Sequence, residues 1–528
     1  MYDILIKNGT ILDGTGKRDG FISDIGISNG IIVNIGHLSS ASAKKVIDAD
    51  GLFVSPGFID VLSHSDTYLT LFTIPKQNSL ISQGITTIIG GNCGSSLAPL
   101  VNSRAIESVQ KWTDSSQINV DWLRMSEFLN VLKEKNKLSL NFGTLTGYST
   151  IRNGILKGEQ RQLSEQESDM AKLLLEQSQK EGSFGMSSGL TYSGEKMVLD
   201  TEMDKMLDVV SKQRGIFTVH LRNEAEKVLE SLEEVLAFAK KAKVKIHISH
   251  LKIIGQNNWS KFDELIERIE KAKNKGIDIT FDVFPYASNG MILYSVLPAW
   301  AKMGNKSRIK ERLNDPDDRK KIEKDLAGMN LNYKKITIAS FAGDKLFLGK
   351  TISDIAESWE VSEESALVEL LIASNLQIIV FAHILNEDNL QKAIKHPLCI
   401  VSSDGAGYDL AYQKSGALPH PRAFGAFARF LRKYPNKNNL NILDYKDAVY
   451  KITGFPAERF CIEKRGNIKP KFFADITIFD PEKIEELTTF EEPYKYSIGI
   501  SNVIVNGKIA YDNEKYIDGY GGKVLKRK

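Results

Sequence analysis

Six side chains able to bind a metal or move a proton fall at the C-terminal ends of apolar, strand-like runs. They are His64 in "PGFIDVLSHSD", Cys93 in "GITTIIGGNCGSS", His220 in "IFTVHLRNE", His250 in "VKIHISHLK", Asp282 in "IDITFDVFPY" and Asp404 in "CIVSSDGAG". A thiolate grouped with imidazoles suits a divalent transition metal, zinc first. One histidine beside a strand is usually a hydrogen-bonded structural residue, but a cysteine and two histidines at three such ends point to a metal site. His247 lies three residues before His250 and is expected on the other side of its strand, in a structural role. His37, His383 and His396 have no ligand-like setting and are read as structural too. Lys252, Tyr192, Tyr286 and Ser288 sit just past strand ends, where they could contact a substrate or simply pack in loops.

These groups need elements that bring them to one place. The middle of the chain alternates Ile-, Val- and Phe-rich runs with charged segments of helical period such as "ESDMAKLLLEQSQKEG" and "SLEEVLAFAKKAK". Repeated strand-helix units predict a parallel sheet. The eight runs "GFIDVLSH", "GITTIIGGN", "LNFGTLTG", "SFGMSSGL", "IFTVHLR", "VKIHISH", "IDITFDVF" and "CIVSSD" suit a (β/α)8 TIM-like barrel, whose reactive groups gather at the C-terminal ends of its strands. "KKITIASFAG" and "LQIIVFAHIL" are strand-like as well, which leaves the last barrel strands open.

The barrel is expected over 56–465, with a charged helical subdomain inserted at about 292–335. The charge run of that insertion reads as a solvated helix face. Residues 1–55 alternate apolar and polar side chains between Asn-Gly and Asp-Gly turns, and the same texture returns over 466–528. The two termini are therefore expected to build one small β-sandwich domain.

Composition narrows the classes. The chain has 528 residues, 42% hydrophobic, with 69 Lys and Arg against 66 Asp and Glu, so its net charge of +3 offers no broad basic face for nucleic acid. A small-molecule substrate is expected. Cys93, Cys399 and Cys461 make an odd, sparse set with no disulfide framework. The start "MYDILIKNGTILDG" lacks the basic, apolar pattern of a signal peptide, and no apolar run reaches membrane length. A cytoplasmic protein without a membrane partner is the simplest reading. Nothing in the sequence speaks to oligomeric state.

In combination, "PGFIDV" with His64 and Asp66, "GITT", "GGNCG", "GLTY", "HLRNE", "ISHLK", "SSDG" and "HPRAFGAF" resemble the N-acyl-D-amino-acid deacylases of the amidohydrolase superfamily, over nearly the whole chain. The resemblance implies a tightly held zinc on Cys93, His220 and His250, a catalytic aspartate at Asp404, and Arg422 as the clamp on the substrate carboxylate. It also favours substrate contact for Lys252, Tyr192 and Ser288. Where the superfamily usually has His-x-His, this chain has Leu62, Ser63 and His64. A second metal position would lose a ligand, so one tight zinc is expected. His64 then either lines the site or completes a partial second position. Asp66 is a lesser oxygen candidate there.

The implied reaction is hydrolysis of an N-acyl-D-amino acid to a carboxylate and a free D-amino acid. With three protein ligands, zinc keeps a position for water and lowers that water's pKa from about 15.7 to about 7. The metal-bound hydroxide attacks the acyl carbonyl, and Asp404 takes up the proton and passes it to the leaving nitrogen. Two rivals remain. A cyclic-amide hydrolase, hydantoinase- or dihydroorotase-like, commonly bridges two metals with a modified lysine on the fourth strand, but "SFGMSSGLTY" has no lysine. A non-catalytic scaffold on the same fold is the other, and it would have no reason to keep Cys93, His220, His250, Asp404 and Arg422 together.

Overall fold

The computed structural model describes residues 1–102, 106, 118–135, 137–157, 159–192, 195, 197–298, 300–303, 306–329, 331–341, 345–517 and 519–527. It is an α/β structure of several sheets. All eight runs expected to form the parallel framework are strands: Phe58–Asp60, Ile85–Gly90, Asn141–Thr144, Gly185–Gly189, Ile216–His220, Lys245–Ile248, Ile279–Val283 and Cys399–Val401. Almost every residue in them is buried, as in a sheet covered on both faces.

Phe58–Asp60, Ile85–Gly90 and Asn141–Thr144 pair in parallel. The third run continues, after Leu145, as Thr146–Gly147, which pairs with Gly185–Gly189 and so enters a second parallel sheet. That sheet continues through neighbours in chain order to Ile279–Val283 and then to Cys399–Val401. Its last strand returns to the first run through a parallel bridge between Ser63 and Gly405, with His64 N donating to Gly405 O at 2.7 Å. Every one of the eight runs thus has a bonded neighbour on both sides.

The helices between strands bury one stripe each. Phe262–Asn274 sinks Phe262, Leu265, Ile269 and Ala272, a spacing that follows the helical period. Glu165–Lys180 starts at Ser164, whose side chain accepts from Glu167 N in a capping box.

The two runs left open join neither parallel sheet. Ile336–Phe341 and Ile378–Ala382 pair antiparallel, and Asn289–Ile292 pairs with the second of them. Their alternation allows either direction of pairing, and the turn chemistry that would have decided it is absent. With helices Lys306–Asn314, Pro316–Gly328, Ile352–Trp359 and Glu363–Ala373 they share an apolar cluster of their own, around Leu293, Ile322, Leu367 and Val380.

Strands from both termini form one nine-stranded sheet over a core that includes Ile6, Ile25, Val54, Ile476 and Ile504. The strands of the two termini are joined by continuous hydrogen bonding, with Tyr2–Ile11 bonding in turn to Ala43–Asp48 and to Phe53–Pro56. Ile476 opposes Pro56 and Ile478 opposes Val54, so the termini meet directly before the first parallel strand. Asp475 fixes that junction: its backbone carbonyl accepts from Gly57 N at 2.8 Å, and its carboxylate accepts from Asn506 N at 2.7 Å and Asn141 Nδ2 at 3.0 Å. Arg465 completes a buried ion pair with it. No helix among the described residues is long and apolar enough to cross a membrane.

Asp475→Ala leaves the Arg465 charge buried and uncompensated and frees Asn141, so it is expected to cost about 3–5 kcal/mol of stability. Urea unfolding measures this, and a loss below about 1 kcal/mol, the size of an exposed pair, contradicts the junction role.

Candidate active site

Cys93, His220 and His250 come together as expected from their strand ends. One ligand atom from each lies within 4.8 Å of the others, and all three residues are buried. Cys93 Sγ is 3.4 Å from His250 Nε2, and the two imidazole rings meet edge to face at 4.3 Å. His220 Nδ1 is buried with no hydrogen-bond partner. A polar atom desolvated without compensation is costly, and a metal would satisfy it. Burial, with the charges of His250 and Lys252, pushes His220 down to about 4, against the pull of Glu224. The ring is therefore neutral and offers a lone pair at ordinary pH. One cysteine sulfur and two imidazole nitrogens fit a tetrahedral zinc with one position left open.

The turn after Ile85–Gly90 delivers the thiol. Cys93 has φ of 51° and Gly94 follows at 78°. Gly94 N donates to Ser187 Oγ at 3.0 Å, and Ser187 Oγ donates to Gly91 O at 2.5 Å. Beneath the turn Glu195 is buried, accepting from Gly189 N at 3.0 Å, from Ser149 Oγ at 2.5 Å and from Ser188 Oγ. His250, at φ of 38°, is held by Asp282, which accepts its backbone N–H at 3.1 Å. Asp282 also accepts from Ser402 Oγ and lies 2.8 Å from His247 Nε2. His247 and Asp282 thus hold the strand end that carries His250.

Asp404 and Arg422 face the same cavity, and both are buried. Asp404 Oδ1 is 3.1 Å from His64 Nε2, and Oδ2 is 2.7 Å from an Arg422 terminal nitrogen. Burial alone would raise the Asp404 carboxyl, but the Arg422 charge and the His64 hydrogen bond hold it well below the usual carboxylate range. Leu62 is fully buried. Asp66 spends its oxygens on Gly91 N at 2.6 Å and Thr67 N at 2.8 Å, so it is a turn-holding residue and not a second-position ligand.

The remaining expected contacts divide. Tyr192 lines the cavity with its ring 5.1 Å from that of His220, and burial lifts its hydroxyl well above the ordinary range. Lys252 lines the cavity too, but its ammonium sits 2.6 Å from Glu224 Oε1 and 2.8 Å from His250 Nδ1. Tyr286 donates to Glu486, and Ser288 turns to Ala382 O at 3.4 Å; neither lines the cavity. Position just past a strand end did not settle where those two side chains turn.

Two residues carry more than their sequence setting suggested. Glu224, in "HLRNE", is buried against both histidines of the cluster. His420, in "HPRAFGAF", accepts from Arg422 N at 3.1 Å through Nδ1 and therefore donates from Nε2 to Ser288 O at 3.2 Å. The rings of Tyr286, Phe381 and Phe490 surround it. It anchors the start of helix Arg422–Lys433 and so the root of the guanidinium. The signal available for both was a polar residue inside a motif already singled out for a neighbour.

The cavity measures about 1740 Å³. Besides the charged and ligand-like groups it is lined by Met291, Val296, Leu331 and Ile379, from the unit that carries the antiparallel sheet.

No family model matches the chain. It is 28% identical to the D-aminoacylase of Alcaligenes xylosoxydans xylosoxydans over 527 residues, 100% of this chain and 98% of that one. It is 29% identical to the N-acyl-D-glutamate deacylase of the same organism over 507 residues, 96% and 93% of the two chains. Among solved structures, the N-acyl-D-glutamate deacylase from Bordetella bronchiseptica, in complex with zinc and a phosphonate inhibitor, superposes over 100% of both chains with a TM-score of 0.84 and 28% identity. A D-hydantoinase shares the fold alone, with a TM-score of 0.55 and 18% identity.

A Cβ on Gly94 would lie 2.2 Å from Glu195 Oε1, 2.6 Å from Ser149 Oγ and 2.8 Å from Gly189 N, and the last is backbone that cannot turn aside. Gly94→Ala is therefore expected to displace the thiol and weaken binding of Co²⁺ at least about 10-fold. Gly276, also at positive φ but with nothing within 4 Å of such a Cβ, is the control: Gly276→Ala meets only backbone strain and leaves cobalt binding unchanged. Equal cobalt affinity in both variants contradicts this account of the turn.

Proposed function

The chain is a full-length relative of the N-acyl-D-amino-acid deacylases of the amidohydrolase superfamily, and we propose that it hydrolyses the amide bond of linear N-acyl-D-amino acids with the help of zinc. The observation that carries this reading is the meeting of Cys93, His220 and His250 in the cavity that Asp404 and Arg422 also face. We read the closed series of eight parallel strands as a (β/α)8 barrel with its active site at the C-terminal ends of the strands. Three cysteines with no disulfide among them support a reducing, cytoplasmic setting.

When bound by Cys93, His220 and His250, zinc supplies a polarised carbonyl and an activated water. Asp404 is placed to move the proton: it receives it from the water at a carboxylate oxygen and delivers it to the departing nitrogen. Arg422 presents a planar fork to the α-carboxylate, and His420 and the ring of Phe284, 4.8 Å from the guanidinium, set its direction. In the resting arrangement the fork faces Asp404 through charge alone: Nη1 lies 2.7 Å from Asp404 Oδ2 without hydrogen-bond geometry, and among the described residues Nε has no hydrogen-bond partner. A substrate carboxylate must share or take the fork, which ties recognition of the acid to release of the base.

Asp404→Asn is expected to keep about one zinc per chain while lowering kcat at least about 100-fold. A variant that retains more than about a tenth of wild-type kcat excludes Asp404 as the proton carrier.

Arg422→Ala is expected to lower kcat/KM for an N-acyl-D-amino acid about 10- to 150-fold, the value of one charge-assisted contact. Turnover of an N-acyl amine without the carboxylate, poor from the start, should not fall, since losing Arg422 leaves Asp404 the stronger base. If both substrates lose the same factor in a folded variant, the carboxylate clamp is wrong.

A further inference from the structure

Glu224 stands behind both histidines of the cluster, four residues after His220 and buried. Its Oε1 lies 3.2 Å from His250 Nδ1 and 2.6 Å from Lys252 Nζ, and its Oε2 lies 3.4 Å from His220 Nε2. The opposite nitrogens of the same rings are the ones free to ligate. His250 Nε2 is 3.4 Å from Cys93 Sγ, and His220 Nδ1 is the buried atom without a hydrogen-bond partner. We propose that Glu224 is a positioning residue that selects the metal-binding tautomer of both histidines, and that it does so at His250 by competing with the ring's Nδ1 as acceptor for the Lys252 ammonium.

The argument turns on which atoms can donate. An ammonium has three hydrogens and no lone pair, so Lys252, 2.8 Å from His250 Nδ1, can only donate to it. A neutral imidazole that accepts at Nδ1 carries its proton on Nε2 and has no lone pair there for a metal. The Glu224 carboxylate offers both groups a better acceptor. With Oε1 taking the ammonium and an Nδ1–H of His250, the lone pair of His250 stays on Nε2. Oε2 accepts Nε2–H of His220 in the same way and leaves Nδ1 of that ring to the metal. One carboxylate therefore sets two tautomers and neutralises one buried lysine. Without it, Lys252 keeps only His250 Nδ1 and, at 3.3 Å, His250 O as acceptors within the site.

This inference rests on the reading of Cys93, His220 and His250 as a metal site, and cobalt binding tests the two separately. Metal-free full-length protein is titrated with Co²⁺ and followed by the d–d bands of tetrahedral cobalt and the thiolate charge-transfer band, with affinities from chelator competition. Wild type is expected to bind about one cobalt per chain tetrahedrally. Glu224→Gln should bind about 10- to 100-fold more weakly, as is usual when a carboxylate behind a ligating histidine is lost, and Glu224→Asp should lose less. Lys252→Met alone should bind no more weakly than wild type, and Lys252→Met combined with Glu224→Gln should recover most of the lost affinity. Melting of the metal-free proteins checks that each is folded. Wild-type affinity in Glu224→Gln overturns the positioning role. Weaker binding in Lys252→Met, or no recovery in the double variant, overturns the competition between lysine and metal. A wild type that binds no cobalt removes the metal site itself and the inference with it.

Discussion

Three side chains of the site sit on backbone that L-residues avoid: Cys93, His250 and Asp404 have φ of 51°, 38° and 48°. Such positions cost on the order of 1–3 kcal/mol each and persist only where their surroundings over-determine them. Here a buried carboxylate serves each turn. Glu195 accepts from Gly189 N and Ser188 beside the Cys93 turn, Asp282 takes the backbone N–H of His250, and Asp60 takes that of Ser403 at 2.9 Å, next to Asp404. The left-handed turn lifts the side chain out of the strand direction and over the cavity, where an extended residue would continue along the sheet. The parallel framework and its interstrand register keep these acceptors under these turns.

The polar interior is charged in a consistent way. Asp60, Asp66, Asp282 and Glu195 accept from N–H or O–H groups that tie the strands across their C-terminal ends, although burial still pushes Asp60 up to about 7 and Asp66 up to about 6. Glu224 follows the same logic with side-chain partners: burial would raise its carboxyl, but His220 and Lys252 hold it well below the usual range. The site therefore presents a cysteine, two imidazoles and fixed charges with little freedom to reorganise, a setting in which electrostatic stabilisation costs least at the moment of reaction.

Much of this was legible in the sequence. Eight runs read as strands became eight strands, and Cys93, His220 and His250 met because ends of parallel strands converge. Direction of pairing was not legible for Ile336–Phe341 and Ile378–Ala382, since a short alternating strand looks the same in either sense. Side-chain direction was not legible either: Tyr192 and Tyr286 both follow strand ends, yet one lines the cavity and the other bonds Glu486. Glu224 was hidden for a different reason. Among 66 acidic residues an ordinary carboxylate gives no local sign that it is buried, and only the packing of His220, His250 and Lys252 around it marks it out.

Leu62 and His64 show how one substitution redistributes a site. An apolar side chain at Leu62 withdraws a donor from the first strand end, and the remaining imidazole, His64, spends Nε2 on Asp404. Both oxygens of Asp404 are then engaged, one by His64 and one by Arg422, and both contacts favour the ionised form. A carboxylate held that low is a poor proton acceptor, so in the proposed reaction its base strength must come from relaxing one of the two. His64 is fixed at its backbone by Gly405 and has Thr67 at 3.4 Å on its other nitrogen, whereas the terminal nitrogens of Arg422 belong to a long side chain and match the carboxylate of an amino acid. The contact that yields is therefore the one with Arg422. In the proposed reaction a substrate's carboxylate would then do more than anchor it: by occupying Arg422 it would raise the proton affinity of Asp404 at the step that needs it, and an amide lacking the carboxylate would meet a base that is still switched down.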